Sequence, residues 1–308
     1  MSQEAKNGPQ PTRQPQSHKR RLWRTFIRNK IAVIGLILAM LVTLAAIFAD
    51  DWFIAFFQGR EAMPLLVPFD PLKQDTRNRL AAPDSEHIMG LDTYGRDTWA
   101  RIVYGARVSL MVGVCSVLLG GALGTFVGLI AGYLGGRVEN TLMRAVDVLM
   151  AFPSLIMGMM VLAILGAGLP KMILAIGLVS SPAFARVAHG TTLTIKEKEY
   201  VAAAKAVGAG RFRIIRVHVL PNTLGELVVL ASIWTATAIR VEANLSFIGL
   251  GVSPPTPAWG TMIREGTRHL SDAPWVSLFP GLAILVTVLA FNLLGDGLRD
   301  ILDPRLQQ

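Results

Sequence analysis

The sequence predicts an all-α polytopic membrane protein with six transmembrane helices. Of its 308 residues, 52% are hydrophobic and only 17% are charged, whereas soluble domains carry about 25% charged residues. The hydrophobic residues are clustered in runs close to the ~20 residues that a helix needs to cross a bilayer. A basic segment precedes the first run, which is typical of membrane proteins with a cytoplasmic N-terminus.

Residues 1–30 are predicted to form a cytoplasmic N-terminal tail. Its first part is polar and contains Gly8, Pro9, Pro11 and Pro15, a composition that cannot bury a core. The basic residues that follow are Lys19, Arg20, Arg21, Arg24, Arg28 and Lys30. The apolar run at 31–49 is interpreted as an uncleaved first span, because the leader is long and no small-residue cleavage site follows it.

Five further apolar runs complete the predicted topology. They lie at 108–134, 145–165, 172–188, 224–245 and 278–294. Pro182 interrupts the apolar pattern of the fourth, but prolines are tolerated in spans when neighbouring groups satisfy the freed carbonyl. A loop over 50–106 separates the first span from a five-helix core over 107–298. Residues 299–308 form a C-terminal tail, which six spans return to the cytoplasm.

The charges of the long loops predict one orientation. The loop 182–221 carries seven bases against two acids, so the positive-inside rule places it in the cytoplasm. The loop 50–106 carries nine acids against six bases and is placed in the periplasm. The net charge of +9 is therefore attributed to membrane topology, and no nucleic-acid partner is expected.

A stripe of small residues runs along the second span. Its members recur every four residues, so their positions shift only slowly around the helix axis. They are Ser116, Gly120, Gly124, Gly128 and Gly132. Such a stripe favours close approach by another helix, which lipid alone does not require. The alternative is incidental use of glycine.

The cytoplasmic loop contains a helical pattern over 196–219. Apolar or small residues three or four positions apart are expected to form one face. They are Val201, Ala204, Gly208, Phe212, Ile215 and Val219. Gly208 and Gly210 predict two short helices with a turn, and Pro221 is expected to end the element. The segment either contacts a soluble partner or anchors the loop at the membrane surface, and the pattern alone favours neither.

The segment EYVAAAKAVGAGRFRIIRVHVLPN, residues 199–222, resembles the EAA motif of ABC-importer permeases. The residues that match the motif are Ala203, Ala204, Gly208, Leu220 and Pro221. The motif's glutamate aligns with Ala202, and Glu199 stands one helical turn earlier. The resemblance implies that a coupling loop over 190–222 docks onto an ATPase subunit, with Glu199 and the matching residues in contact with it.

Three further segments resemble permeases of the peptide and nickel importers. They are HIMGLDTYGRDTWARIVYGARVSLMVG (87–113), EANLSFIGLGVSPPTPAWGTMI (242–263) and FPGLAILVTVLAFNLLGDGLRDILDPRL (279–306). The similarity is to the C-type subunit of the dipeptide, oligopeptide, glutathione and nickel systems. It implies the type I ABC-importer permease fold in a bacterial inner membrane. A nickel or metal-chelate substrate remains an alternative, as does an ion-coupled secondary transporter.

The resemblance also implies the partners of the chain. They are a second, homologous permease that completes a heterodimer, two cytoplasmic ATPase subunits, a periplasmic substrate-binding protein and membrane lipid. The sequence contains no G-x-x-x-x-G-K-[ST] phosphate loop and no G-x-S-x-G elbow, and its five histidines are dispersed. We therefore expect a non-catalytic subunit without cofactor or metal.

Polar residues within the spans are candidates for a translocation pathway, because such residues are costly in a membrane and often functional. They are Arg240, Glu242 and Asn292. Arg240 and Glu242 project on different faces and either line the pathway or meet headgroups and water. Asn292 is expected to bond a neighbouring helix. Asp147, one turn after Arg144, is expected to form an interfacial ion pair.

Replacing Gly208 with a bulky residue is predicted to uncouple transport from ATP hydrolysis while the protein still inserts in the membrane. The physical reason is that the turn between the two short helices needs a residue without a side chain. Peptide uptake and membrane content of the variant measure the two effects. Normal uptake by the variant would contradict the role assigned to this loop.

Overall fold

The computed structural model describes Ile27, residues 29–50 and residues 65–302. The regular structure of these residues is mainly helical, and an isolated β-bridge joins Leu91 to Asp97. The helices are α1 (Lys30–Ile47), α2 (Thr98–Leu134), α3 (Gly136–Met150), α4 (Ser154–Leu165), α5 (Leu169–Lys196), α6 (Glu199–Ala206), α7 (Arg211–Ile214), α8 (Leu220–Ile248), α9 (Trp259–Gly266) and α10 (Trp275–Leu302). A π-helical turn, Ile215–Val219, joins α7 to α8. The predicted all-helical fold class is confirmed.

Five helical stretches of the described chain are long and apolar enough to cross a membrane. They are α1, α2, α5, the continuous stretch from Arg211 to Ile248, and α10. The number rises to six if α3 and α4 together form one span, although they are bent by 94° relative to each other.

The third predicted span, 145–165, is therefore wrong as a single straight helix. The chain breaks between Met150 and Ser154, where Pro153 adopts an extended conformation with ψ 133°. A proline lacks the N–H that would continue the helix, and its ring disfavours a helical conformation in the preceding residue, Phe152. The break follows from both effects.

Pro182 has the opposite outcome, because α5 continues through it from Leu169 to Lys196. The fourth predicted span is thus a continuous helix in spite of its proline. The proline leaves the carbonyl of Leu178 without its usual backbone donor, and the Ser181 hydroxyl donates to that carbonyl at 2.9 Å. Local side-chain donors of this kind allow prolines inside transmembrane helices.

The glycine stripe of α2 packs directly on α5, and the two helices form the most extensive helix pair of the described chain. A methyl group at Gly124 would overlap the Ser181 carbonyl oxygen and lie 2.8 Å from the Ala185 nitrogen. At Gly128 it would lie 2.9 Å from the His189 nitrogen. The two backbones thus approach so closely that no side chain fits between them. The stripe begins at Ser116, which is fully buried.

Helix α1 packs along α10 and is held at both ends. Gly35 faces the backbone of Leu294, where a methyl group would lie 2.6 Å from the Leu294 nitrogen. At one end, the Asn29 amide donates to the Asp300 carboxylate at 2.9 Å. At the other end, the Arg107 guanidinium on α2 donates to the Asp50 carboxylate at 2.8 Å and 3.2 Å. These contacts fix the first span to the other helices.

Gly124→Ala is predicted to lower the melting temperature of the detergent-solubilised protein by several degrees, because overpacking of this kind costs about 1–3 kcal/mol. Gly121→Ala is the matched control on the same helix. A methyl group there lies 3.4 Å from the ring of Phe184, which is ordinary contact. Equal melting temperatures for the two variants would contradict the close packing.

Candidate functional site

The coupling segment, residues 197–222, folds as two short helices joined by a turn, as its glycines predict. Helix α6 ends at Ala206, and Gly208 then adopts a left-handed conformation with φ +84°. Residues with a side chain rarely adopt this conformation, so a glycine is required at this turn. The turn redirects the chain into α7.

One side of the coupling segment is buried against the helix bundle. Val201, Ile214 and Val219 are at most 1% exposed and cluster with Leu129 of α2 and Ile195 of α5. Burial of each aliphatic side chain stabilises such a contact by about 1.5–3 kcal/mol. The segment is therefore fixed to the α2–α5 pair.

A polar contact reinforces this attachment. The Lys196 ammonium, at the end of α5, donates to the carbonyl oxygen of Gly132 at 3.0 Å. Gly132 is the last member of the glycine stripe, in the final turn of α2. The ends of α2 and α5 are thus joined beside the first residue of α6.

The opposite side of the coupling segment is exposed. The exposed fractions are 84% for Val207 and 75% for Phe212. Of the predicted coupling residues, Glu199, Ala203, Gly208 and Pro221 are exposed, and Ala204 and Leu220 are partly buried. Prominent apolar side chains beside small residues are typical of a surface that a partner covers.

The predicted single apolar face of this segment is wrong. Phe212 is exposed, whereas Ile214 takes the buried position beside Val201. The left-handed turn at Gly208 changes the direction of the chain, so one helical period cannot be carried from α6 into α7.

The expectation that Pro221 ends the element is also wrong. Pro221 lies in the first turn of α8, which continues from α7 through the π-helical turn. In that turn the Leu220 N–H donates to the Ile215 carbonyl, five residues earlier. The backbone hydrogen-bond pattern is already shifted from the α-helical one in this turn. Pro221, which has no N–H to donate, is therefore accommodated without a break in the helix.

The three pathway candidates have different environments. Glu242 is fully buried and accepts hydrogen bonds from Ser109 of α2 at 2.9 Å and from Ser246 at 2.7 Å. Arg240 is exposed and donates to Thr237 on its own helix at 3.1 Å. Asn292 is partly buried on α10. Glu242 thus joins α2 to α8, and the three candidates do not form a single cluster.

A buried charge network holds together the ends of α2 and α9. The Arg96 guanidinium donates to Asp92 at 2.6 Å and to Glu265 at 2.8 Å. Arg101 lies 3.3 Å from Asp92 and donates to the Pro71 carbonyl at 3.2 Å. Sequence analysis did not predict this network. The acidic and basic residues near the start of α2 were visible as alternating charges, but their partner, Glu265, is distant in sequence.

A second polar contact orders the loop before α2. Asp97 caps α2 by accepting the Ala100 N–H at 2.7 Å, and its other oxygen lies 2.9 Å from the His87 ring. The backbone N–H of His87 donates to the Asp84 carboxylate, and this hydrogen bond lowers the pKa of the Asp84 carboxyl.

The ion pair expected between Asp147 and Arg144 is not the one in the structure. Asp147 of α3 pairs with Arg186 of α5 at 2.6 Å, and Glu139 lies 2.7 Å from the His189 ring. These two contacts cross from α3 to α5. They place α3 beside the end of α5 that leads into the coupling segment.

A bundle of apolar helices of spanning length, with a polar segment fixed to one end and exposed on its far side, defines the membrane-embedded part of a transport system. The chain belongs to the family of binding-protein-dependent transport system inner membrane components, whose model matches residues 124–308. A second model, the N-terminal TM domain of oligopeptide transport permease C, matches residues 17–83.

Curated relatives are similar over nearly the whole chain. The glutathione transport system permease protein GsiD of Pectobacterium atrosepticum is 41% identical over 94% of this chain and 91% of its own length. The dipeptide transport system permease protein DppC of Alkalihalophilus pseudofirmus is 40% identical over 94% and 90%, respectively. The di/tripeptide permease DppC of Pseudomonas aeruginosa is 40% identical over 92% and 91%.

A solved structure shares the fold. A chain of the MetNI methionine ABC transporter, in an inward-facing conformation, superposes with a TM-score of 0.54 at 21% identity. The match covers 65% of this chain and 96% of the other. The predicted permease fold and the predicted non-catalytic transport role are confirmed by the fold and family matches. The chain is a multi-pass inner-membrane protein, and the family membership decides against an ion-coupled secondary transporter.

Proposed function

We propose that this chain is one of two permease subunits of an ATP-driven importer for dipeptides, oligopeptides or glutathione-like peptides. The relatives named for glutathione, dipeptide and di/tripeptide transport support this substrate class, because they match over more than nine-tenths of the chain. A second, homologous permease would form the other half of the pathway. A periplasmic binding protein would deliver the peptide.

The proposed orientation places both termini and the coupling segment in the cytoplasm, and the stretch 50–106, whose last residues form the start of α2, in the periplasm. The seven bases of the stretch 182–221, which comprises the end of α5 and the coupling segment, support it. The basic residues before α1 support the same orientation. The network around Arg96 would then stabilise the periplasmic end of the bundle.

The observation that carries the proposal is the two-sided character of the coupling segment. Val201 and Ile214 fix it to the α2–α5 pair, and Val207 and Phe212 project away from the protein. We propose that an ATPase subunit covers the projecting side. The motif's glutamate is replaced by Ala202, which is exposed, so apolar contact would supply much of this docking.

The attachment of the coupling segment suggests how force is transmitted. Closure of the two ATPases on ATP would displace α6. Helices α2 and α5 would follow, because the coupling segment is packed against both of them and their backbones are in direct contact with each other. The pathway between the two permeases would then change from inward-facing to outward-facing. Arg240 and Asn292 are proposed to line that pathway. Glu242 would reach it only if α2 and α8 separate.

The double variant Val207→Ser/Phe212→Ser is predicted to lose most of the co-purifying ATPase, because it removes the two projecting apolar side chains while leaving Val201 and Ile214 in place. The few anchor residues that carry most of the affinity of an interface cost about 2 kcal/mol or more each when they are truncated. Affinity purification of the chain from its native membrane, with quantification of the bound ATPases, measures the effect.

Leu270→Ser is the matched control. This leucine is 54% exposed and lies between α9 and α10, away from the coupling segment. Its variant should retain the ATPases and the second permease. Undiminished ATPase recovery with the double variant would refute the proposed docking surface.

A further inference from the structure

An open cleft of about 560 Å³ lies beside the coupling segment, between the end of α5 and the start of α8. Its size is within the range of ligand-binding clefts, about 300–1,000 Å³. Charged and hydroxyl-bearing side chains line it, among them Arg186, Thr191, Lys198 and Glu226. The cleft therefore suits a small polar molecule that carries charges of both signs.

The negative charge of the cleft is supplied by Glu226. This residue is exposed on α8, and its carboxylate accepts a hydrogen bond from the Thr191 hydroxyl of α5. No lysine, arginine or histidine of the described chain forms an ion pair with it. A positioned carboxylate without a protein cation is suited to bind an ammonium group.

A positive charge of the cleft is supplied by Arg186, on the same helix as Thr191. Its guanidinium pairs with Asp147 at 2.6 Å, but the two side chains are 54% and 58% exposed. Exposed ion pairs of this kind contribute little stability. The guanidinium can therefore exchange Asp147 for a ligand carboxylate, which it binds with two parallel hydrogen bonds.

The two residues of α5 that position these charges, Arg186 and Thr191, are separated along the helix axis by about the length of a short peptide. Arg186 precedes Thr191, the residue that holds Glu226, by 191 − 186 = 5 residues of α5. This separation is about 7.5 Å along the helix axis. Two residues of extended chain span about 7 Å. The α-ammonium and α-carboxylate of a dipeptide are separated by a similar length.

We infer that this cleft binds the free termini of a short peptide at the cytoplasmic end of the pathway, with Glu226 receiving the α-ammonium and Arg186 the α-carboxylate. The inference rests on the proposed function, since it requires a peptide substrate and a cytoplasmic coupling segment. The subsite holds the peptide by the groups that all unblocked peptides share. The subsite would therefore act when the peptide is released to the cytoplasm, after its side chains have been selected at another site.

The test pairs variants of the protein with blocked forms of the ligand. The complete transporter, without nucleotide or binding protein, is placed in lipid nanodiscs, and its affinities for Ala-Ala, N-acetyl-Ala-Ala and Ala-Ala-amide are measured by isothermal titration. Glu226→Gln should weaken Ala-Ala binding about tenfold and leave N-acetyl-Ala-Ala unchanged. Arg186→Gln should weaken Ala-Ala about tenfold and leave Ala-Ala-amide unchanged.

Two variants serve as controls. Arg268→Gln removes an exposed cation between α9 and α10, outside the cleft, and should leave the affinity for Ala-Ala within about twofold. Asp147→Asn frees Arg186 of its partner and should strengthen Ala-Ala binding or leave it unchanged. Size-exclusion chromatography of each variant complex verifies that it is assembled.

The outcomes separate this inference from the proposed function. Equal losses for all three peptides would show a structural or lipid-binding role of the cleft and overturn the inference. ATP-driven peptide uptake by a wild-type complex that does not bind Ala-Ala would overturn the inference alone. A wild-type complex that binds Ala-Ala but never transports a peptide would refute the proposed function and leave the subsite standing.

Discussion

The close approach of α2 and α5 is the constraint on which the rest of the structure depends. Gly124 and Gly128 bring the two backbones together without intervening side chains. Dense contact of this kind replaces the hydrophobic driving force that is missing between helices in lipid. Lys196 and the cluster around Val201 then attach the coupling segment to the same two helices. A displacement of α6 therefore cannot be absorbed in a flexible connection and must reach both spans.

The remaining helices surround this pair through contacts of different chemistry. Asn29 and Arg107 hold α1 at its two ends by polar contacts. Glu242 links α8 to α2 within the bundle through hydroxyl groups. The Arg96 network links the far end of α2 to α9. Apolar packing accompanies these polar contacts, since Val112 of α2 and Phe184 of α5 lie in one buried cluster with Leu245 of α8.

The sequence predicts those features that depend on local pattern, and it predicts the others poorly. The four-residue spacing from Ser116 to Gly132 and the turn at Gly208 are local signals, and both correspond to what the structure contains. Pro153 and Pro182 look alike in sequence, yet only Pro153 breaks a helix. At Pro182 the Ser181 hydroxyl satisfies the Leu178 carbonyl, a contact that depends on side-chain conformation and that a local sequence pattern does not show. Glu265 pairs with Arg96 across 169 residues, a distance that no local pattern spans.

The central claim is that α2, α5 and α6 move as one rigid unit. The most direct measurement is the distance between spin labels at Ala203→Cys and Leu118→Cys in the complete transporter, with Cys115→Ser removing the native thiol. Both labelled positions are exposed. The account predicts the same mean distance, within about 2 Å, in the nucleotide-free and ATP-trapped states. A shift approaching one helical turn, about 5 Å, would contradict it.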